Sequence, residues 1–242
     1  MSDVIPAPQQ PRIPVRSQQL PSDSTFPVRR IYCVGRNFAE HAREMGAAVP
    51  TSAADRGNPV FFCKPADAIV LDGVVPYPRG TRDLHHEVEL VVAIGRDAPA
   101  GVLDVADAGA LVFGYAVGLD LTRRDLQSVL KEKRLPWDIS KGFDGSAPIS
   151  ALVPVAEAGE LGDKRLWLEV NGELRQQAPL SDMIFGVADV LRHLARLYRL
   201  RAGDLVYMGT PSGVAALQPG DRFRAGIDGL VEFSGEILQR GD

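Results

Sequence analysis

Short apolar runs alternate with clusters of glycine, proline and aspartate along most of the chain. The runs RRIYCVG, NPVFFCKP, ELVVAIG, LVFGYAVGLDL, RLWLEVNGELR, DLVYMG and GLVEFSGEIL recur from Arg29 onward. They are rich in β-branched and aromatic residues and bounded by turn formers, a pattern that predicts many short strands. LVVAIG is nearly continuous in apolar residues and predicts a buried strand. Asn171-Gly172, between LWLEV and ELRQ, is the strongest hairpin signal, with weaker ones at Asp228-Gly229 and Asp72-Gly73.

Helical spacing interrupts the strands. Ile184, Val187, Ala188, Leu191, Leu194, Ala195 and Tyr198 predict a helix over about Ser181–Leu200, with Arg192, Arg196 and Arg199 toward its C-terminal end. A short helix is expected at Phe38–Met45, with Asn37 as N-cap and Gly46 as its stop. Another is expected within Asp120–Lys133. The fold class is mainly β with a few helices, α+β. The first 27 residues break this texture, with prolines at 6, 8, 11, 14, 21 and 27 among Gln and Ser. Proline removes backbone donors and favours extended chain, so residues 1–27 read as an arm without a core, ahead of one domain over 28–242.

Composition narrows the class without naming a chemistry. The 27 basic and 31 acidic side chains among 242 residues leave a net charge of −4, which argues against a sequence-independent nucleic-acid binder. No run approaches the roughly 20 apolar residues of a membrane span, and the N-terminus lacks a secretory pattern, so the cytoplasm is expected. Cys33 and Cys63 are too few for a disulfide framework or a four-cysteine zinc site and read as buried, reduced thiols.

Candidate chemistry concentrates in three segments. In DLHHEVELVVAIG, side chains alternate along the strand, so Glu87 and Glu89 project from one face at its entrance. Two such carboxylates repel unless neutralised, either by a hard divalent cation, for which oxygen ligands select Mg²⁺, Mn²⁺ or Ca²⁺, or by water, Arg82 or Arg96. His85 and His86 lack the further ligands of a zinc site. In LVFGYAVGLDLTRRDLQ, Asp120 shares a face with Val112, Gly114, Ala116 and Gly118. It closes a run of small residues where a ligand could approach, or it caps the helix that follows. In GRNFAEHAREM, His41 and Glu44 stand at i,i+3, the arrangement of an oriented general base and also of an ordinary surface pair. Lys64, Lys141 and Thr210 fall at strand ends or loops. No phosphate-binding loop, dinucleotide fingerprint or serine-hydrolase elbow is present.

Taken in order, GRNFAEH-REMG, VFFCKP, HHEVELVVAIG, GYAVGLDLTRRDLQ, KGFDGSAP, WLEVNGELRQ, SDMIF and GDLVYMGTPSGV resemble the fumarylacetoacetate hydrolase family. Within it the likeness is to the acylpyruvate branch, the fumarylpyruvate hydrolases of aromatic-acid breakdown, and it runs from about Phe26 to the C-terminus. The resemblance implies a mixed β-roll or barrel, a homodimer, and Mg²⁺ or Mn²⁺ held by Glu87, Glu89 and Asp120. It implies a catalytic His41–Glu44 pair on a short helix that orders over the substrate, and an active-site Lys141. Arg124, Gln127 and Thr210 match substrate contacts, while Arg36 and Lys64 fall in motifs near the site. The implied reaction is hydrolytic C–C cleavage of a 3-acylpyruvate, fumarylpyruvate yielding fumarate and pyruvate. Oxaloacetate decarboxylation, or isomerisation of a 2-oxo acid, is the alternative on the same scaffold. The GTPSGVAAL loop departs from the family's more usual glycine-proline continuation.

Overall fold

A computed structural model describes residues 4–44, 46, 53–99, 101 and 103–239. The strands that build the site are β1 (Arg30–Gly35), β2 (Val60–Lys64), β3 (Val88–Ile94) and β4 (Val112–Leu119). A second set follows: β5 (Arg165–Val170), β6 (Glu173–Pro179), β7 (Asp204–Tyr207), β8 (Arg222–Ile227) and β9 (Val231–Ile237). One mixed sheet runs in the order Val153–Pro154, β4, β3, β7, β1, β2, and another in the order β6, β5, β8, β9, Val74–Val75. Both are open, so the architecture is mainly β without a closed barrel.

The first sheet is apolar on both faces, which explains the unbroken run in β3. Val88, Leu90, Val92 and Ile94 point into a core shared with Leu166 and Leu168 of β5 and Phe223 and Ala225 of β8. Val91 and Ala93 point the other way, into a second cluster with Ile31, Cys33, Ala116, Leu205 and Tyr207. Glu87 and Glu89 have the parity of that second face. Gly118 opposite Glu89 leaves room for the Tyr207 ring, since a Cβ there would lie 2.7 Å from Tyr207 Cε1.

The N-terminal segment departs from the expected coreless arm. Arg12–Pro14 pairs antiparallel with Thr25–Pro27, and Val15 bridges to Leu152. Ile13, Val15 and Phe26 belong to the second cluster and cover its outer side. Proline density masked an alternation of buried and exposed positions too short to register as a strand. Cys63 also departs from expectation: Cys33 is buried, but Cys63 is exposed because β2 is an edge strand with one side in water.

Asn171-Gly172 forms the β5–β6 hairpin with φ of 54° and 81°, the left-handed pair such a turn requires. Asp228-Gly229 joins β8 to β9. Asp72-Gly73 is not a hairpin, because the strands on either side pair elsewhere, Ile69–Val70 with Ala147–Pro148 and Val74–Val75 with β9.

Three helices flank the sheets near the site and its core: α1 (Ala39–Glu44), α2 (Arg124–Glu132) and α3 (Val187–Ala195). The helix expected over Ser181–Leu200 shortens to α3 because its first residues are extended. Met183 bridges Phe38 and Ile184 N–H donates to Asn37 O at 2.7 Å. Asn37 is not a helix cap. Its side chain donates to Phe185 O and Met208 O and accepts from Phe185 N–H. Gly46, at φ 70°, accords with a helix stop, whereas Met45 lies outside the described residues. Among the described residues no helix is long and apolar enough to cross a membrane.

Candidate active site

Three elements converge at the polar end of the second sheet face. Glu87 precedes β3, Glu89 lies in it, and Asp120 follows β4, whose pairing with β3 brings the carboxylates together. Asp120 N–H donates to Glu87 O at 2.8 Å, so the backbone itself locks this junction. Each of the three offers an oxygen within 4.8 Å of the others, and all three residues are buried. Asp120 is no helix cap, since α2 begins only at Arg124.

Burial of three carboxylates demands compensation. Lys141 Nζ donates to Glu87 Oε2 at 2.7 Å and to Asp120 Oδ2 at 2.6 Å. Lys64 Nζ lies 2.8 Å from Asp120 Oδ1, outside hydrogen-bond geometry, and donates instead to Leu121 O and Lys141 O. Arg124 pairs with Glu87 through Nη2 and donates to Gln127 Oε1 through Nη1. Burial would raise the Glu87 carboxyl, but Lys141 and Arg124 together hold it well below the ordinary carboxylate range. Glu89 has the opposite fate. Burial, then the charges of Asp120 and Glu87, push its carboxyl well above the usual range. Among the described residues its one hydrogen bond is from Gly209 N–H at 2.8 Å.

This donor set fits a hard divalent cation. It is all oxygen, it is clustered, and Glu89 is costly to ionise without added positive charge.

His41, on α1, lines the same cavity, and its Nδ1 lies 3.3 Å from Oε2 of Glu44 on the same helix. Glu44 Oε1 accepts from Gly213 N–H, which ties α1 to the loop that carries Thr210. The cavity encloses about 390 Å³ and is lined by Arg36, His41, the three carboxylates, Arg124, Gln127, Lys141 and Thr210. Lys64 is buried behind it, reaching the site through Asp120. The residues singled out from the sequence therefore meet in one place.

Gln176, absent from the residues expected at the site, is its bracket. Its Oε1 accepts from His86 Nδ1–H at 2.8 Å and Val88 N–H at 3.1 Å, while its Nε2 donates to Thr210 Oγ1 and Pro211 O, both at 2.8 Å. Thr210 thus accepts from Gln176 and keeps its own O–H for the cavity. Gln176 lies in a strand of polar residues and is the one buried among exposed neighbours, so nothing local distinguished it. Phe62, Lys131 and Trp137, which no local motif marked, also line the cavity.

The fold and site define a class: a mixed-β scaffold that presents a buried carboxylate triad, with balancing cations and a His–Glu pair, at one end of a double-faced sheet. Residues 30–238 match the model of the fumarylacetoacetate hydrolase C-terminal domain, and the chain belongs to that family of enzymes. A crystal structure of fumarylpyruvate hydrolase from Pseudomonas aeruginosa, in complex with Mn²⁺ and pyruvate, is similar at a TM-score of 0.89 and 42% identity, covering 99% of this chain and 100% of that one. The mitochondrial oxaloacetate tautomerase FAHD1 of Bos taurus is 41% identical over 86% of this chain and 91% of its own. The mitochondrial oxaloacetate decarboxylase of Dictyostelium discoideum is 40% identical over 88% of this chain and 95% of its own.

Proposed function

We propose that this protein is a divalent-metal-dependent hydrolase of 3-acylpyruvates, converting fumarylpyruvate and water to fumarate and pyruvate. The observation that carries the reading is His41, held by Glu44, on the wall of the cavity that contains the carboxylate triad. Hydrolysis needs a base for water; decarboxylation of oxaloacetate does not. Two further observations support it. The P. aeruginosa hydrolase is matched over 99% of this chain, a span that includes most of the N-terminal segment, and the pyruvate it holds is a product of this cleavage.

Glu87, Glu89 and Asp120 would hold Mg²⁺ or Mn²⁺, and the ion would supply Lewis-acid stabilisation of charge on the pyruvate half. The chain's own groups do the rest. Glu44 engages His41 Nδ1 and leaves Nε2 to take the proton of an attacking water. Water adds at the distal carbonyl, the C–C bond breaks, and the pyruvate half departs as an enolate that is protonated at carbon. Lys141, Arg124 and Lys64 balance the three carboxylates, so a bound divalent ion leaves the floor of the site positive and suited to an anionic substrate. Thr210 O–H and the Gln127 amide complete the polar lining. On this reading the enzyme is a homodimer working in cytoplasmic aromatic-acid breakdown, a state that light scattering would read as twice the single-chain mass.

The similarity to the tautomerase and decarboxylase supports oxaloacetate as the competing substrate. One assay separates the two. With Mn²⁺ or Mg²⁺ present, fumarylpyruvate should be consumed faster than acetylpyruvate or oxaloacetate. His41→Ala should lower that rate by roughly 10²–10⁴-fold at unchanged metal content. Equal rates on all three compounds would refute the fumarylpyruvate assignment, and full activity in the His41 variant would refute the role of the base.

A further inference from the structure

Two cations of the cavity remain after the floor is balanced. Lys64, Lys141 and Arg124 each face a carboxylate. Arg36 and Lys131 line the same cavity, and among the described residues neither is ion-paired. Arg36 follows β1 with a φ of 61°, a left-handed conformation that L side chains rarely adopt. Lys131 sits near the C-terminal end of α2, half-exposed at the mouth, with its Nζ 5.4 Å from the centre of the Trp137 ring. Trp137 in turn packs edge-on against Phe62, at 5.3 Å between ring centres, so the ammonium lies against a pair of packed aromatic rings.

We infer that Lys131, backed by Arg36, is a second anion subsite of the cavity, receiving the distal carboxylate of a dicarboxylic acyl group. The inference rests on the acylpyruvate hydrolase reading and adds to it what selects the acyl end. A 3-acylpyruvate held by its pyruvate half at the carboxylate floor extends its acyl chain toward the mouth. A fumaryl chain is flat and unsaturated and ends in a carboxylate. Phe62 and Trp137 supply a flat apolar wall for the first feature, and Lys131 and Arg36 supply charge for the second. An acetyl group carries no second carboxylate for either cation. The local field agrees with this. Partial burial, then Arg124, Lys141 and Arg36, depress the Lys131 ammonium to about 8, so the mouth is electropositive and an arriving anion relieves it.

The test compares kcat and KM of the wild-type holoenzyme, Lys131→Met and Lys131→Arg on fumarylpyruvate and acetylpyruvate. The Met variant should lower the fumarylpyruvate-to-acetylpyruvate ratio of kcat/KM by about tenfold, mainly through KM, and Arg should restore most of it. Wild-type turnover of both compounds with an unaltered ratio in the Met variant overturns the subsite while leaving the hydrolase reading intact. No wild-type turnover of either compound overturns both.

Discussion

Glu89 is a carboxylate that its surroundings penalise. It is buried, it faces Asp120 and Glu87, and among the described residues a single backbone N–H, from Gly209, answers it. Gly209 can make that approach because it holds φ at 92°, and a Cβ there would meet Asn37 Cβ at 2.7 Å. Such a residue costs stability in the metal-free chain and returns it on metal binding. Mn²⁺ at about 100 times its Kd should therefore stabilise the wild type by about 2.7 kcal/mol. Glu89→Gln keeps the shape and the acceptor for Gly209 but removes the charge. Thermal unfolding should show a variant at least as stable as the wild type in chelator and with most of the Mn²⁺ shift lost. An undiminished Mn²⁺ shift would remove Glu89 from the ligand set. Alternation along one strand was enough to place Glu87 and Glu89 on a common face. It could not show that Lys141 bridges Glu87 to Asp120, because that contact joins residues distant in sequence and close only in the fold.

At the scale of elements, the N-terminal segment teaches most. Its composition is that of a disordered linker, yet Ile13 and Phe26 are among the residues that seal the second sheet face. The reason is that a few apolar side chains on a short hairpin can be enough when the surface they cover is already formed. Ile13→Ala should lower stability by about 2–4 kcal/mol in denaturant unfolding. Ile5→Ala, at a site 70% exposed, should change it by less than about 0.5 kcal/mol. Equal, small effects would mean the segment is not part of the cooperative unit. The helix expected over Ser181–Leu200 failed at its start for a related reason. Helical spacing was present, but Met183 and Ile184 are claimed by backbone pairing with Asn37 and Phe38, and pairing of that kind leaves no periodic trace. The Asn171-Gly172 hairpin succeeded because its turn is decided by the two residues themselves.

Across the whole molecule, the net charge of −4 describes the active site poorly. Charge is sorted: acids are gathered on the sheet floor, matched by Lys64, Lys141 and Arg124, with Arg36 and Lys131 at the mouth. Histidines tie the stability of this arrangement to pH. His86 is buried against Gln176, and burial pushes it down to about 4, so the folded protein keeps it neutral where the unfolded chain would protonate it. The unfolded state then binds more protons between about pH 6.5 and pH 4, and stability falls as pH drops through that window. From pH 7 to pH 5 the His86 contribution is a loss of about 2 kcal/mol, with His85 and His193 acting in the same direction. Because the raised carboxyl of Glu89 acts in the opposite direction, urea unfolding of the wild type and His86→Gln at the two pH values isolates it, and an equal pH dependence in the two would show that His86 is not held neutral.

By itself, the sequence determined what local order can carry: the strand-rich texture, the hairpin at Asn171-Gly172, the shared face of Glu87 and Glu89, and the i,i+3 spacing of His41 and Glu44. These depend on backbone periodicity and on residues near one another along the chain. The tertiary structure alone decided which of those groups are buried, which cation answers which carboxylate, that Gln176 braces His86 against Thr210, and that the proline-rich segment closes the core. Burial and pairing are set by contacts between segments far apart along the chain, 90 residues for His86 and Gln176 and 171 for Asn37 and Met208, and no local pattern in either segment encodes its partner.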